Sequence, residues 1–379
     1  MLKNILFLLK RILLLQFILI SIVQLNNDLN GQSLDKLVNK SNIAQALDKI
    51  ADFTMRVKPS ESTDDQRYRD AWFAYSKKEF LESINLAKEY LVKNPNDAKA
   101  YNTKGSSCYE LKRYTEALQD FNKAIELDPD VSDYYFNRGL VYIELFDYQN
   151  ALIDFDKTIK LNPKDASAYS NRSMLKLNSN DYSGAIKDCD YAIELKPKNP
   201  FYYSNKGLAY YYLTDYQKAI ENYDRAIEIN PNFAGYYSNR GLAYYGLKKY
   251  TEALSDYNKS IELAPRLPVA YFNRGLYYFD SRDYEKARQD FSKAVELNPK
   301  DDTALYYLGG SKCYLADFIG AIKDLDLAII INPRFGDAYF VRGLAKLQIG
   351  NKSEACNDLH KALKYGNNVA ENLIKKYCE

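Results

Sequence analysis

Between Tyr203 and Pro231 the apolar positions step by three and four: Tyr203, Gly207, Tyr210 and Leu213, then Tyr216, Ala219, Tyr223, Ala226 and Ile227. That spacing lines one face of an α-helix, so the window predicts two amphipathic helices and no strand. The same pattern returns along the chain. Pro95, Pro129, Pro163, Pro197, Pro231, Pro265, Pro299 and Pro333 stand 34 residues apart without insertion or deletion, which marks an array of one repeated unit. Each proline lacks an N–H and drives the preceding residue out of the helical region, so the second helix of every unit ends there and the chain reverses. Asp215 and its counterparts Asp147, Asp181, Asp283 and Asp317 stand where the second helix begins, placed to accept its free backbone N–H groups.

Small residues set how closely the helices meet. Gly105, Gly139, Ser173, Gly207, Gly241, Gly275, Gly309 and Gly343 share one position in the first helix, and Ala117, Ala151, Ala185, Ala219, Ala253, Ala287, Ala321 and Ala355 share one in the second. Large neighbours such as Tyr203, Tyr216 and Tyr223 are expected to fill the space between adjacent hairpins, so stability is shared between units. This order of aromatic, small residue, tyrosine, alanine, aromatic, alanine and proline resembles the tetratricopeptide repeat over about Asp64 to Val369. The resemblance implies an all-α, right-handed superhelical solenoid of about nine 34-residue helix-turn-helix repeats. Counting from the prolines starts the units at Asp64, Ala98, Ser132, Ala166, Pro200, Ala234, Pro268, Asp302 and Gly336, with residues 370–379 as a capping helix.

Composition adds a well-filled core, with 36 tyrosines and 46% hydrophobic residues, and excludes disorder for most of the chain. The net charge of +2 offers no basic face for nucleic acid, because Lys3, Lys10 and Arg11 against Asp28 place that excess in residues 1–31. The apolar run Ile12 to Val23 behind those basic residues reads as an export signal over 1–31, with an uncleaved membrane anchor over 5–23 as the alternative. An exported location in the periplasm, envelope or medium follows from the first reading, and membrane contact only through the N-terminal segment from the second. Residues 32–63 are expected to hold a short helix, Ser41 to Val57, whose stripe of Ile43, Leu47, Ile50 and Ala51 covers the first repeat or, as the alternative, binds something else, and then a polar linker.

Chemistry is sparse. Cys108, Cys189 and Cys313 occupy ordinary repeat positions and read as buried thiols. Cys356 and Cys378 lie equally far from Asn367, at the turn of the final hairpin, so they are candidates for a disulfide, the alternative being two unpaired thiols. The single histidine, His360, has no partner at metal-ligand spacing, and the glycines never form a phosphate-cradling cluster. No catalytic residue, metal site or cofactor is expected. The periodic Asp120, Asp154, Asp188, Asp256, Asp290, Asp324 and Asp358 face the periodic Arg138, Arg172, Arg240, Arg274 and Arg342 as a structural ion-pair ladder.

One further series bears on function. Asn137, Asn171, Asn205, Asn239 and Asn273 recur once per unit, at the first-helix position that in tetratricopeptide proteins lines the concave groove. The series resembles the asparagine ladder of the O-linked N-acetylglucosamine transferase superhelix, whose catalytic region has no counterpart here. That resemblance implies amides that hold a peptide backbone, since an amide donates and accepts together. Tyr109, Tyr211, Tyr212, Tyr245, Phe272 and Phe279 are expected to share the wall as aromatic pockets, with Phe136 beside them, the alternative being that part of this surface belongs to the core. Lysines for a terminal carboxylate are missing, since the relevant positions read Asp133, Ser167, Phe201, Gly235 and Val269. The chain thus reads as a non-enzymatic scaffold for a protein or extended peptide. A structural spacer, a self-associating array or an accessory subunit of an envelope enzyme are the alternatives, and the closing Ala355 to Cys378 stretch resembles the ends of exported proteins of this family from Bacteroidetes-type bacteria.

Overall fold

The computed structural model describes Met55, Arg56 and residues 66–379. The export segment over 1–31 and nearly all of the 32–63 region lie outside the described residues. Those described carry nineteen α-helices and no strand. They are α1 (Gln66–Ser76), α2 (Phe80–Lys93), α3 (Ala98–Glu110), α4 (Tyr114–Leu127), α5 (Ser132–Glu144), α6 (Tyr148–Leu161), α7 (Ala166–Asn178), α8 (Tyr182–Leu195), α9 (Pro200–Tyr212) and α10 (Tyr216–Ile229) in one unit. A second unit from Asn230 onward holds α11 (Ala234–Gly246), α12 (Tyr250–Leu263), α13 (Pro268–Asp280), α14 (Tyr284–Leu297), α15 (Asp302–Tyr314), α16 (Phe318–Ile331), α17 (Gly336–Gln348), α18 (Lys352–Lys364) and α19 (Ala370–Tyr377). Within each unit, the two helices of a repeat pack on one another, and the second helix of one repeat packs on the first of the next.

Each hairpin is closed by local chemistry. Asp147, Asp181, Asp215, Asp283 and Asp317 accept from the backbone N–H three residues on, at 3.3, 2.9, 3.2, 3.2 and 2.9 Å. The residue just before that cap adopts left-handed backbone in every repeat: Lys78, Lys112, Phe146, Asn180, Thr214, Lys248, Arg282, Ala316 and Gly350. At Thr214 the turn is fixed by Thr214 N–H on the Tyr211 carbonyl (2.9 Å) and Asp215 N–H on the Tyr210 carbonyl (3.0 Å), a Schellman closure that satisfies two terminal carbonyls of α9. Glycine is the residue best suited to that conformation, yet among these nine turns it stands only at Gly350, because the two hydrogen bonds outweigh the roughly 1 kcal/mol cost of a side chain there.

The repeat proline does more than stop a helix. Tyr135, Tyr203, Tyr237, Tyr271 and Tyr339 each donate their hydroxyl to the carbonyl of the proline six residues earlier, at 3.0 to 3.4 Å. The tyrosine therefore ties the start of a repeat to the preceding turn, a role its apolar spacing does not reveal. Arginine joins repeats as well. Arg138 places two N–H groups on the Asp154 carboxylate (2.8 and 2.7 Å) within its own repeat and a third on Asn122 of the preceding one (2.7 Å). Arg172, Arg274 and Arg342 repeat this geometry, and Arg240 makes the same fork to Asp256. Burial pushes the Asp154 carboxyl upward despite the opposing guanidinium. Burial alone would lower the Arg138 pKa, but the hydrogen bonds and charge of Asp154 leave it raised.

At the last hairpin, the Cys356 and Cys378 sulfurs are 2.10 Å apart and form a disulfide. Cys108, Cys189 and Cys313 are free and buried, with burial pushing the Cys189 thiol up to about 12. His360 is exposed, with its ring Nδ1 2.7 Å from the Cys356 carbonyl oxygen.

Candidate peptide-binding groove

Three consecutive first helices, α3, α5 and α7, bring Asn102, Asp133, Phe136, Asn137 and Asp165 together, and the chain's own Arg56 lies among them. Asn102, Phe136 and Asn137 project from helices at successive repeats, and Asp165 is the N-cap of α7, its carboxylate accepting from Ala168 N–H at 3.1 Å. The Asn137 side chain bonds both backbone groups of Arg56. Its Oδ1 accepts the Arg56 N–H at 2.8 Å, and its Nδ2 donates to the Arg56 carbonyl at 2.9 Å. Asn102 Nδ2 donates to the same carbonyl at 2.9 Å, while Asn102 Oδ1 accepts the other Asn137 Nδ2 hydrogen at 2.8 Å. The backbone of one residue is thereby held through groups that every residue type except proline possesses, and both amides use donor and acceptor together.

The Arg56 side chain is read by different atoms. Its guanidinium lies 3.3 Å from the centre of the Phe136 ring. Nη2 donates to Asp165 Oδ1 at 2.7 Å, Nη1 donates to Asp165 Oδ2, and Asp133 Oδ1 stands 3.6 Å from Nη1. A flat cation on an aromatic face with a two-point carboxylate fork is a geometry guanidinium can adopt and ammonium cannot. Met55 is buried, within the apolar cluster that contains Ile84, Cys108, Phe121, Phe136, Leu140 and Phe155. The two residues are not helical. The short helix expected over Ser41 to Val57 is therefore corrected at Met55 and Arg56, where asparagine side chains take the backbone groups that a helix would pair internally.

The other members of the asparagine series have different surroundings. Asn171 is buried. Asn205 is buried, its Nδ2 3.5 Å from Ser173 Oγ and its Oδ1 without a donor among the described residues. Asn273 is buried and donates to Ser238 Oγ at 3.0 Å, whereas Asn239 is half-buried. Where a backbone ligand is in place, at Asn137, the partner across the repeat boundary is Asn102; at Asn273 the same position is Ser238, and the amide donates to its hydroxyl.

The expected aromatic wall is corrected in part. Phe272 and Phe279 are buried in a cluster with Phe291 and Tyr307, with ring centres 5.3 to 6.3 Å apart, because these positions pack between the second helix of their own repeat and the first helix of the next. Tyr211 is buried too, against Tyr212 and Tyr216. Tyr109, Tyr212 and Tyr245 remain half-exposed. Tyr212 stacks on Tyr182 with ring centres 5.1 Å apart. The Tyr109 and Tyr245 hydroxyls donate to Glu144 and Asp280 one repeat further on. Burial, then the Glu144 charge, holds the Tyr109 phenol well above its ordinary pKa, so it stays a donor. Among the described residues no group of histidine, cysteine, aspartate and glutamate side chains could hold a metal ion.

Models of the tetratricopeptide repeat match residues 132–165, 234–267 and 268–301, and a model described as TPR repeat matches 105–145 and 207–248. The chain is a tetratricopeptide repeat protein. Tetratricopeptide repeats are protein-interaction scaffolds, and this one is similar in fold to a chain of the crystallised APC/C hetero-tetramer Cut9-Hcn1, at 18% identity and a TM-score of 0.56. That match covers 84% of this chain and 64% of the other, so the chain spans somewhat under two thirds of that protein's length. The C-terminal part of a TPR repeat-containing protein from Cytophaga hutchinsonii is 22% identical with a TM-score of 0.48, covering 64% of this chain and 99% of that one. A tetratricopeptide repeat protein from Parabacteroides merdae is 19% identical with a TM-score of 0.49, covering 65% and 99%. No curated protein matches the chain significantly.

Sequence reasoning about this tetratricopeptide repeat protein passed over Arg56, Asn102 and Asp165. Arg56 sits in a stretch with no repeat periodicity, and Asn102 stands one position ahead of the series that drew attention. A signal was present for the acidic pair. At the 34-residue register of Asp133 and Asp165, the other repeats read Lys99 with Val131, Ser167 with Asn199, Phe201 with Phe233, Gly235 with Leu267, Val269 with Asp301, Thr303 with Phe335 and Asp337 with Val369. The first unit reads Asp65 with Asp97, but Arg69 takes the place of Asn137 there, so the acidic pair and the asparagine coincide at one place only.

Proposed function

We propose that this protein is a non-enzymatic interaction scaffold that binds an extended segment of a protein partner in the groove lined by its first helices. Side-chain amides hold the partner's backbone there. The observation that carries the reading is the three-bond grip of Asn102 and Asn137 on the backbone of Arg56. Asn171 and Asn239 extend the same series along the array, and Tyr109 and Tyr212 supply half-exposed rings beside it. The basic and apolar sequence over residues 1–31 supports an exported protein, cleaved or held at a membrane through residues 5–23. A structural spacer differs from this reading in leaving the groove without a partner.

Selection from a random-sequence displayed peptide library tests it. Peptides enriched on the wild-type chain should be lost from an Asn137→Ala/Asn171→Ala variant whose helicity and melting are unchanged. Peptides that bind both chains equally would favour the spacer.

A further inference from the structure

Resting on that reading, we infer that the groove across α3, α5 and α7 is an arginine-specific subsite. It takes an extended peptide with an apolar residue followed by arginine, and Met55–Arg56 is a tethered occupant that such a partner must displace.

The two asparagines cannot choose a sequence, because they touch only backbone. Choice comes from the side-chain atoms around the guanidinium. Phe136 supplies a flat face 3.3 Å away, Asp165 a fork matched to two parallel N–H groups, and Asp133 a second negative charge at 3.6 Å. Lysine would keep the charge but lose the stacking and one arm of the fork. Asp165 is itself held in place by capping α7, so its carboxylate is positioned before any ligand arrives. The preceding position is apolar because Met55 enters a cluster of Ile84, Cys108 and Phe136. The only other acidic pair at these two positions is Asp65 with Asp97 in the first unit, where Arg69 replaces the asparagine, which makes this one subsite and not a general property of the array.

Tethering gives the chain's own arginine an advantage. A linked occupant acts at an effective concentration on the order of mM, so free peptide must compete against that. The partner class is therefore a protein with an accessible apolar-Arg segment that binds strongly enough, or through enough neighbouring groove contacts, to expel residues 55 and 56.

The test uses the full chain and a labelled synthetic peptide of residues 52–59, Asp-Phe-Thr-Met-Arg-Val-Lys-Pro, read by fluorescence anisotropy. Vacating the site with Met55→Ser/Arg56→Ser should tighten peptide binding by about thirtyfold or more over wild type, given the local concentration of the tethered occupant. A second variant, Arg56→Ala alone, keeps the Met55 contact and should show the same direction. Replacing arginine by lysine in the peptide should weaken binding about tenfold, and Asp165→Asn in the vacated chain should do likewise while preserving the α7 cap. A vacated, folded chain that ignores the peptide, or takes the lysine form equally well, overturns the inference. If library peptides without arginine still bind in an Asn137-dependent way, only the arginine subsite fails; loss of all Asn137 dependence removes the groove reading as well.

Discussion

At Gly241 the first and second helices of a repeat approach so closely that a Cβ would fall 2.6 Å from Cε1 of Tyr257. The chain shows its own solution where the glycine is missing. At the register of Gly241 stands Ser173, and at the register of Tyr257 the facing residue has shrunk to Cys189, itself fully buried. Size is therefore traded across the interface, as dense packing requires. Gly241→Ser should destabilise the protein by about 1 to 3 kcal/mol through overpacking. In a Tyr257→Cys background the same change should be smaller by about 1 kcal/mol, as expected for coupled neighbours. Urea unfolding of the four proteins measures this, and equal penalties in both backgrounds would show that the ring does not set the limit.

Helices and turns carry the next level. The capping aspartates were legible because a carboxylate before an apolar-periodic segment has one obvious use, satisfying free N–H groups. The left-handed residue beside them was not, since Lys78, Phe146 and Thr214 have no composition in common, and only the paired hydrogen bonds of the closed turn impose that backbone. The final element depends on a covalent tie. Helix α19 has only eight residues and buries Ala370, Leu373 and Ile374 against the last repeat. The Cys356–Cys378 bond, with a separation of 22 residues, closes a loop for which about 3 kcal/mol of stabilisation is expected. Cys378→Ser should lower the melting temperature and accelerate amide exchange in α19 first. A variant that melts like wild type, with α19 equally protected, would show that apolar burial alone holds this helix.

Across the molecule, stability in a repeat array is a sum of neighbouring terms, so damage should stay local. Arg274 offers the test. It binds Asp290 in its own repeat and Asn258 in the preceding one, and Asp290 is buried. Arg274→Met leaves that carboxylate without its cation at a cost of about 3 kcal/mol. Hydrogen exchange should quicken in α12, α13 and α14 while α17 and α18 keep their protection. Uniform loss of protection would mean that the second unit unfolds as one cooperative block.

The 34-residue sequence period, with its small residues, helix-starting aspartates and turn prolines, determined by itself that the chain is an all-α tetratricopeptide array. These signals are local, and each repeat restates them. What surrounds Arg56 was decided only by tertiary structure. Arg56 meets Asn102, Asn137 and Asp165 across separations of 46, 81 and 109 residues. No periodicity links them. Phe136, Phe272 and Phe279 show the same limit: all three suit an apolar wall by spacing, but the first carries a guanidinium and the other two are enclosed by Phe291 of their own repeat and Tyr307 of the next. A helix pattern tells which face is apolar, and the fold alone tells what that face meets.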